Sequence, residues 1–153
     1  MENQNAIDEL DLKIINQLQK DSRQSFQELA SKLGIAVGTA YNRVKQLEKS
    51  KVIRKYSAVI DPAKIGVSLT ALVLVQAEGS HIVDLEKLLA KMEETIAVYD
   101  ITGDFDIAVV ARFKDTKELN SFVKRLLGMA YVKRTVTDVM LNVVKEDFTL
   151  PAF

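Results

Sequence analysis

Placed at 100° steps around a helix, Gly38, Asn42, Lys45, Gln46 and Lys49 fall opposite the apolar stripe Ala40, Val44 and Leu47, with Thr39 and Arg43 flanking them. Those side chains suit the chemistry of nucleic-acid recognition. A carboxamide at Asn42 can pair bidentately with adenine, the Lys45 ammonium can reach guanine acceptors, and Thr39 faces the same base edges. Between Arg43 and Lys55 six cations stand against one acid, Glu48. Arg43, Lys49, Arg54 and Lys55 are placed to neutralise phosphates, which gives affinity without sequence discrimination. Tyr41 lies nearer the core edge and is read as a packing residue or a phosphate contact. The bland alternative is a solvated face whose lysines only keep the helix soluble. The elements around it decide between the two.

Those elements form a helix-turn-helix. Ser25 and Glu28 make a capping box for a helix whose apolar face is Phe26, Leu29, Ala30 and Leu33. Gly34 stops it, Ile35 turns inward, and the helix carrying Asn42 follows. An earlier helix, capped by Asp8 and running to about Asp21, offers Leu10, Ile14, Ile15 and Leu18, so three helices can close a small core. After them residues 52–60, with Ile53, Tyr56, Ala58 and Ile60, read as a wing or as the first strand of a linker. Asp61-Pro62 and Gly66 break the pattern. The expected divisions are 1–51 for DNA binding, 52–66 for a linker strand and turn, and 67–153 for a second domain.

The second domain reads strand, helix, strand, strand, helix, strand. Residues 69–77 (LTALVLVQA) are nearly continuous in apolar residues, as in a strand covered on both faces. A helix is predicted over about 82–94 with Leu85, Leu88, Leu89 and Met92 buried, then strands over 97–102 and 106–113 joined at Gly103-Asp104-Phe105. A helix over about 116–127 with Leu119, Phe122, Val123 and Leu126 inward, and a strand over about 132–144, complete it. The fold class is therefore α+β: a winged-type three-helix domain, a linker strand and a ferredoxin-like βαββαβ domain with an antiparallel sheet. Its helices cover one sheet face, so the other needs a partner, and a second copy is expected. A homodimer also suits DNA, since paired recognition helices read half-sites a helical turn or its multiple apart.

Composition narrows the function further. The chain has no cysteine and one histidine, His81, which excludes disulfides, cysteine-ligated metals and histidine-based triads; His81 is read as a loop residue, and no metal or cofactor is expected. Asp104 and Asp106 form a conceivable carboxylate pair, but no histidine or cysteine neighbours them and Asp is common in turns, so an enzyme is not expected. The formal charge of zero hides +3 over residues 1–60 and −3 over 61–153. No apolar run approaches the ~20 residues of a membrane span, and the polar, acidic start MENQNAIDEL is unlike a signal peptide, which points to the cytoplasm.

Several ordered segments carry a family resemblance: IDELDLKIINQLQKD, ELASKLGIA, NRVKQLE, VIRKYSAVIDPAKIG, VYDITGDFDIAVV and a late TLP. Over nearly its whole length the chain resembles the Lrp/AsnC, or feast/famine, transcription regulators. That resemblance implies a DNA-binding domain and a domain that dimerises, assembles into octamers in many members and senses a small molecule, commonly an amino acid. It places the effector near the hairpin loop and last strand, here Gly103, Asp104, Phe105, Asp106, Thr135 and Thr137. Backbone amides near Gly103 and the threonine hydroxyls could serve a carboxylate, and Asp104 or Asp106 an ammonium. Read without the family, TGDFD is a tight hairpin with Gly at positive φ and Asp capping the turn.

Two positions depart from the family pattern. The recognition helix opens Ala36-Val37-Gly38 where Ser, Thr or Pro is usual, so it lacks a side-chain cap, and Gly38 costs about 1 kcal/mol of helix stability relative to alanine. Either that end is loose until DNA binds, or Gly38 lets backbone amides approach a phosphate. Phe105 replaces a common tyrosine and removes a hydroxyl. The expected function is a DNA-binding transcription regulator whose assembly and DNA binding respond to a small molecule, with double-stranded DNA, its own copies and an amino acid as partners. The alternatives are an effector-independent architectural DNA-binding protein, or a module whose helix-turn-helix contacts protein.

Overall fold

The computed structural model describes residues 7–150; residues 1–6 of the polar start and 151–153, with the proline of TLP, lie outside the described residues. Three helices come first: α1 (Glu9–Lys20), α2 (Phe26–Leu33) and α3 (Val37–Lys49). Local chemistry sets their ends. The Asp8 carboxylate accepts from the Asp11 amide at 2.8 Å while Asp11 accepts from the Asp8 amide at 3.2 Å. Ser25 and Glu28 repeat the arrangement at α2, whose end is turned by Gly34 at φ +65°. At α3 the N-cap is Ala36, with no side-chain hydrogen bond.

Ile14, Leu29, Ala30, Ala40, Val44 and Leu47 form the buried core of these helices, bordered by Leu10, Leu18, Phe26 and Ile53. The expected stripe of α3 is therefore the buried one. Residues 54–60 contain no strand, contrary to the linker strand expected there. A strand exists only against a partner, and no described strand of this chain pairs with that segment. Its apolar side chains stand out instead, Val59 being 98% exposed.

Beyond a short turn at Ala63–Ile65 come β1 (Leu69–Ala77), α4 (Ile82–Leu89), β2 (Thr95–Asp100), β3 (Ile107–Phe113), α5 (Thr116–Leu127) and β4 (Val132–Val139). The four strands form one antiparallel sheet in the order β2-β3-β1-β4, the ferredoxin-like arrangement expected. Alternate residues of β1 and β3 (Ala71, Val73, Val75; Ile107, Val109, Ala111, Phe113) pack with Leu85 and Leu89 of α4 and Leu119, Phe122 and Leu126 of α5. The other sheet face carries Leu72, Leu74, Val110 and Val136, all half-buried. Among the described elements of this unit, α4 and α5 cover one face of β1.

Three boundaries differ from expectation. β4 ends at Val139 rather than near 144, because its one neighbour among the described strands, β1, begins at Leu69 and offers a last acceptor, the Thr70 carbonyl, to the Met140 amide at 2.9 Å. α4 ends at Leu89, where the amides of Lys91 and Met92 turn to carbonyls three residues back; the helix buries Leu85 and Leu89, while Ile82 and, past its end, Met92 pack partly buried against the same core, and Leu88 is exposed. β2 starts and ends two residues early, so the connection to β3 spans residues 101–106 and is closed by the Ile101 amide donating to the Asp106 carbonyl at 2.9 Å.

Two compact units divide the described residues, 60–146 forming one and 7–59 with 147–150 the other. Within the latter, Gln19 grips the described tail: its carboxamide oxygen accepts from the Leu150 amide at 2.7 Å, and its nitrogen donates to the Leu150 carbonyl at 3.4 Å.

Candidate nucleic-acid interface and effector loop

On α3 the exposed residues are those expected: Gly38, Thr39, Asn42, Lys45 and Lys49 are solvent-facing, and Arg43 is half-buried. Tyr41 packs edge-on against Phe26 with ring centroids 5.2 Å apart, and Lys45 lies 5.9 Å from its ring centre. A Cβ built on Gly38 meets nothing within 4 Å, so packing inside the chain does not demand glycine there.

The cations fall into two groups. Arg43 reaches back to α1, donating to Asp8 at 2.7 Å and to both oxygens of Asp11 at 3.3 Å. Its pKa is raised by Asp8 and Asp11, and the Asp8 carboxyl is held low by the Asp11 amide it caps and then by Arg43. Lys45 donates to Glu48 at 2.8 Å, raising the ammonium's pKa and lowering that of Glu48. Glu48 also accepts from the Tyr56 hydroxyl at 3.0 Å; desolvation, then Glu48, pushes that phenol up to about 12. Lys49, Lys51, Arg54 and Lys55 make no ion pair with any described acid.

In the second unit the loop between β2 and β3 holds Gly103 at φ +123°, a conformation side chains rarely adopt. Asp106 anchors the loop: its amide donates to the Val75 carbonyl at 3.0 Å, and its carboxylate accepts from the Ala77 amide at 2.7 Å. Asp104 is exposed, with no hydrogen-bonding partner among the described residues. Phe105 is half-buried, and the Arg134 guanidinium lies over it at 4.9 Å from the ring centre. Thr135 and Thr137 stand opposite Val75 and Val73, which places them on the helix-covered side of the sheet, whereas Arg134 stands opposite Gln76 on the other. Sequence reading missed Arg134. The signal was strand alternation, which sets 134 and 135 on opposite faces. His81 sits in a one-turn segment, Gly79–His81, stacked on Tyr131 at 3.6 Å.

A helix-turn-helix joined to a ferredoxin-like domain with a glycine-turned loop defines a DNA-binding regulator with a ligand-binding domain. Comparison with known proteins agrees. Residues 7–54 match the winged helix-turn-helix DNA-binding family and residues 70–150 the Lrp/AsnC ligand binding domain. An HTH-type transcriptional regulator of Pyrococcus abyssi is 47% identical over 94% of this chain and 98% of its own length. The HTH-type transcriptional regulator FL11 of the same organism is 36% identical over 95% and 97%. The feast or famine regulatory protein of M. tuberculosis complexed with L-methionine superposes with a TM-score of 0.87 at 29% identity, covering 95% of this chain and 99% of that one. A Neisseria meningitidis transcriptional regulator, also solved with L-methionine, gives 0.86 at 26% identity, covering 94% and 96%. This chain belongs to the Lrp/AsnC family of transcription regulators.

No helix among the described residues is long and apolar enough to cross a membrane, and no described cluster of His, Cys, Asp or Glu could hold a metal ion.

Proposed function

We propose that this regulator reads DNA with Thr39, Asn42 and Lys45 of α3, grips phosphates with Lys49, Arg54 and Lys55, and acts as a homodimer that assembles further, to an octamer, under control of an amino acid bound near residues 103–106. The observation that carries the DNA assignment is the row of cations Lys49, Lys51, Arg54 and Lys55, unpaired within the described chain and next to an exposed polar helix face with no acid on it. Gly38 gives a phosphate room to approach the first turn of α3. Arg43 supports α3 from within, as a clamp to α1, and its phosphate contact requires loosening Asp8 or Asp11. The half-buried apolar sheet face supports self-association. The L-methionine complexes of two similar structures support an amino acid as effector.

Assembly links the two activities. Each half-site contact is multiplied by tethering to the others, so a ligand that reshapes contacts between copies alters binding to extended sites. One observation favours effector-independent, architectural binding: one oxygen of the Asp106 carboxylate is committed to the Ala77 amide rather than open to a ligand's ammonium. Gel shifts on the chain's own upstream DNA at two salt concentrations, with and without the twenty amino acids, separate the readings. The expected result is salt-sensitive binding altered by at least one amino acid. Asn42→Ala should lower affinity for specific DNA more than for random DNA, and Lys55→Ala should reduce the salt slope by about 0.9. Equal losses on both DNAs for Asn42→Ala overturn the base-reading role, and no response to any amino acid favours the architectural reading.

A further inference from the structure

We infer that Arg134, held on the ring of Phe105, is the receptor for the ligand's carboxylate. The inference rests on residues 103–106 being the effector site and names the group that recognises the ligand there. Of the three arginines in the second unit, Arg112 pairs with Glu146 and Arg125 with Glu94. Arg134 has no acidic partner among the described residues; its contact is the Phe105 ring, 4.9 Å from the guanidinium carbon. A guanidinium over an aromatic face keeps its N–H edges outward, and a planar fork of donors matches a carboxylate with two parallel hydrogen bonds. The ring also fixes the side chain before the ligand arrives, so less rotamer freedom is lost on binding.

The other groups of the loop fit this assignment. Asp106 accepts from the Ala77 amide through one oxygen and forms no ion pair with Arg134 among the described residues. Phe105 brings no hydroxyl with which to donate to an anion, so the ring's contribution is the platform. Thr135 and Thr137 point to the helix-covered side of the sheet, away from Arg134. Asp104, exposed and without a hydrogen-bonding partner among the described residues, can accept the ammonium. The ligand class is a free α-amino acid, with its carboxylate on Arg134.

Titration of the full chain with the twenty amino acids, and with L-methioninol, which lacks the carboxylate, tests this by calorimetry and by the ligand-induced rise in melting temperature. Wild type should bind an amino acid and discriminate against methioninol. Arg134→Gln should lose about tenfold or more in affinity and, with it, the discrimination between L-methionine and methioninol, while Arg134→Lys falls between. Phe105→Leu should weaken binding less than Arg134→Gln, and Phe105→Tyr should preserve it. Unliganded melting temperatures equal to that of wild type show that the variants fold. If wild type binds and Arg134→Gln binds equally well, the arginine assignment fails while the effector site stands. If wild type binds none of the twenty, the effector site itself fails and this assignment with it.

Discussion

Glu48 is the one acid in a basic stretch, and it has two partners: the Lys45 ammonium at 2.8 Å and the Tyr56 hydroxyl at 3.0 Å. It therefore holds a base-reading candidate in place while subtracting a charge from the surface that meets DNA. Glu48→Gln should strengthen binding to specific and random DNA alike, by a few-fold, because Lys45 is released and a like charge to phosphate is gone. The same variant should bring Tyr56 down from about 12 only part of the way, because desolvation, the larger cause of the rise, remains. The sign of the linked stability follows. A phenol whose folded pKa is raised stabilises the fold fully below pH ~10 and loses that contribution as pH rises from ~10 through ~12. Spectrophotometric titration of wild type against Tyr56→Phe isolates this phenol from the other three tyrosines. A Tyr56 that ionises near 10 in wild type would remove the hydrogen bond from the account.

At the scale of elements, α3 has the weakest start of the three described N-terminal helices, since α1 and α2 open with reciprocal capping boxes and α3 with Ala36 and no side-chain bond. Gly38→Ala should raise stability by about 1 kcal/mol, because nothing obstructs the added Cβ and the helix gains alanine's propensity. If the glycine exists to admit a phosphate, the same variant loses DNA affinity as its denaturant midpoint rises; a rise without loss shows that the start is simply loose. Much of this architecture is legible in the sequence. Ser25 with Glu28, Gly34 at the turn and the stripe Ala40, Val44, Leu47 are local signals, and β1 is bounded by its own apolar run. What escapes is set by distant partners. β4 stops where β1 runs out, residues 54–60 have no strand to join, and Arg43 pairs with acids 32 and 35 residues away. The basic face of α3 could thus be read from periodicity, whereas which cations are free could not.

At the scale of the whole molecule, the charge division and the open sheet face argue for assembly as the source of useful affinity. The net +3 lies in residues 1–60 and the net −3 in 61–153, so a single chain carries only a small basic excess in one part and a net negative charge in the other. On the proposed reading, affinity at physiological salt comes from several patches acting together. The surface that joins copies on this account is the face bearing Leu72, Leu74, Val110 and Val136, which the chain's own helices leave uncovered. Val110 is the informative position, being central in the sheet, half-buried and on that face. Val110→Asp keeps its carboxylate hydrated in a lone chain but would bury it, unpaired, between two. The variant should fold, sediment as a smaller species than wild type, and lose affinity for a site with two half-sites by tenfold or more, while binding an isolated half-site as wild type does. An unchanged mass would show that this face is not the joining surface. A reduced mass with undiminished affinity for the double site would show that the helix-turn-helix binds DNA without help from its copies.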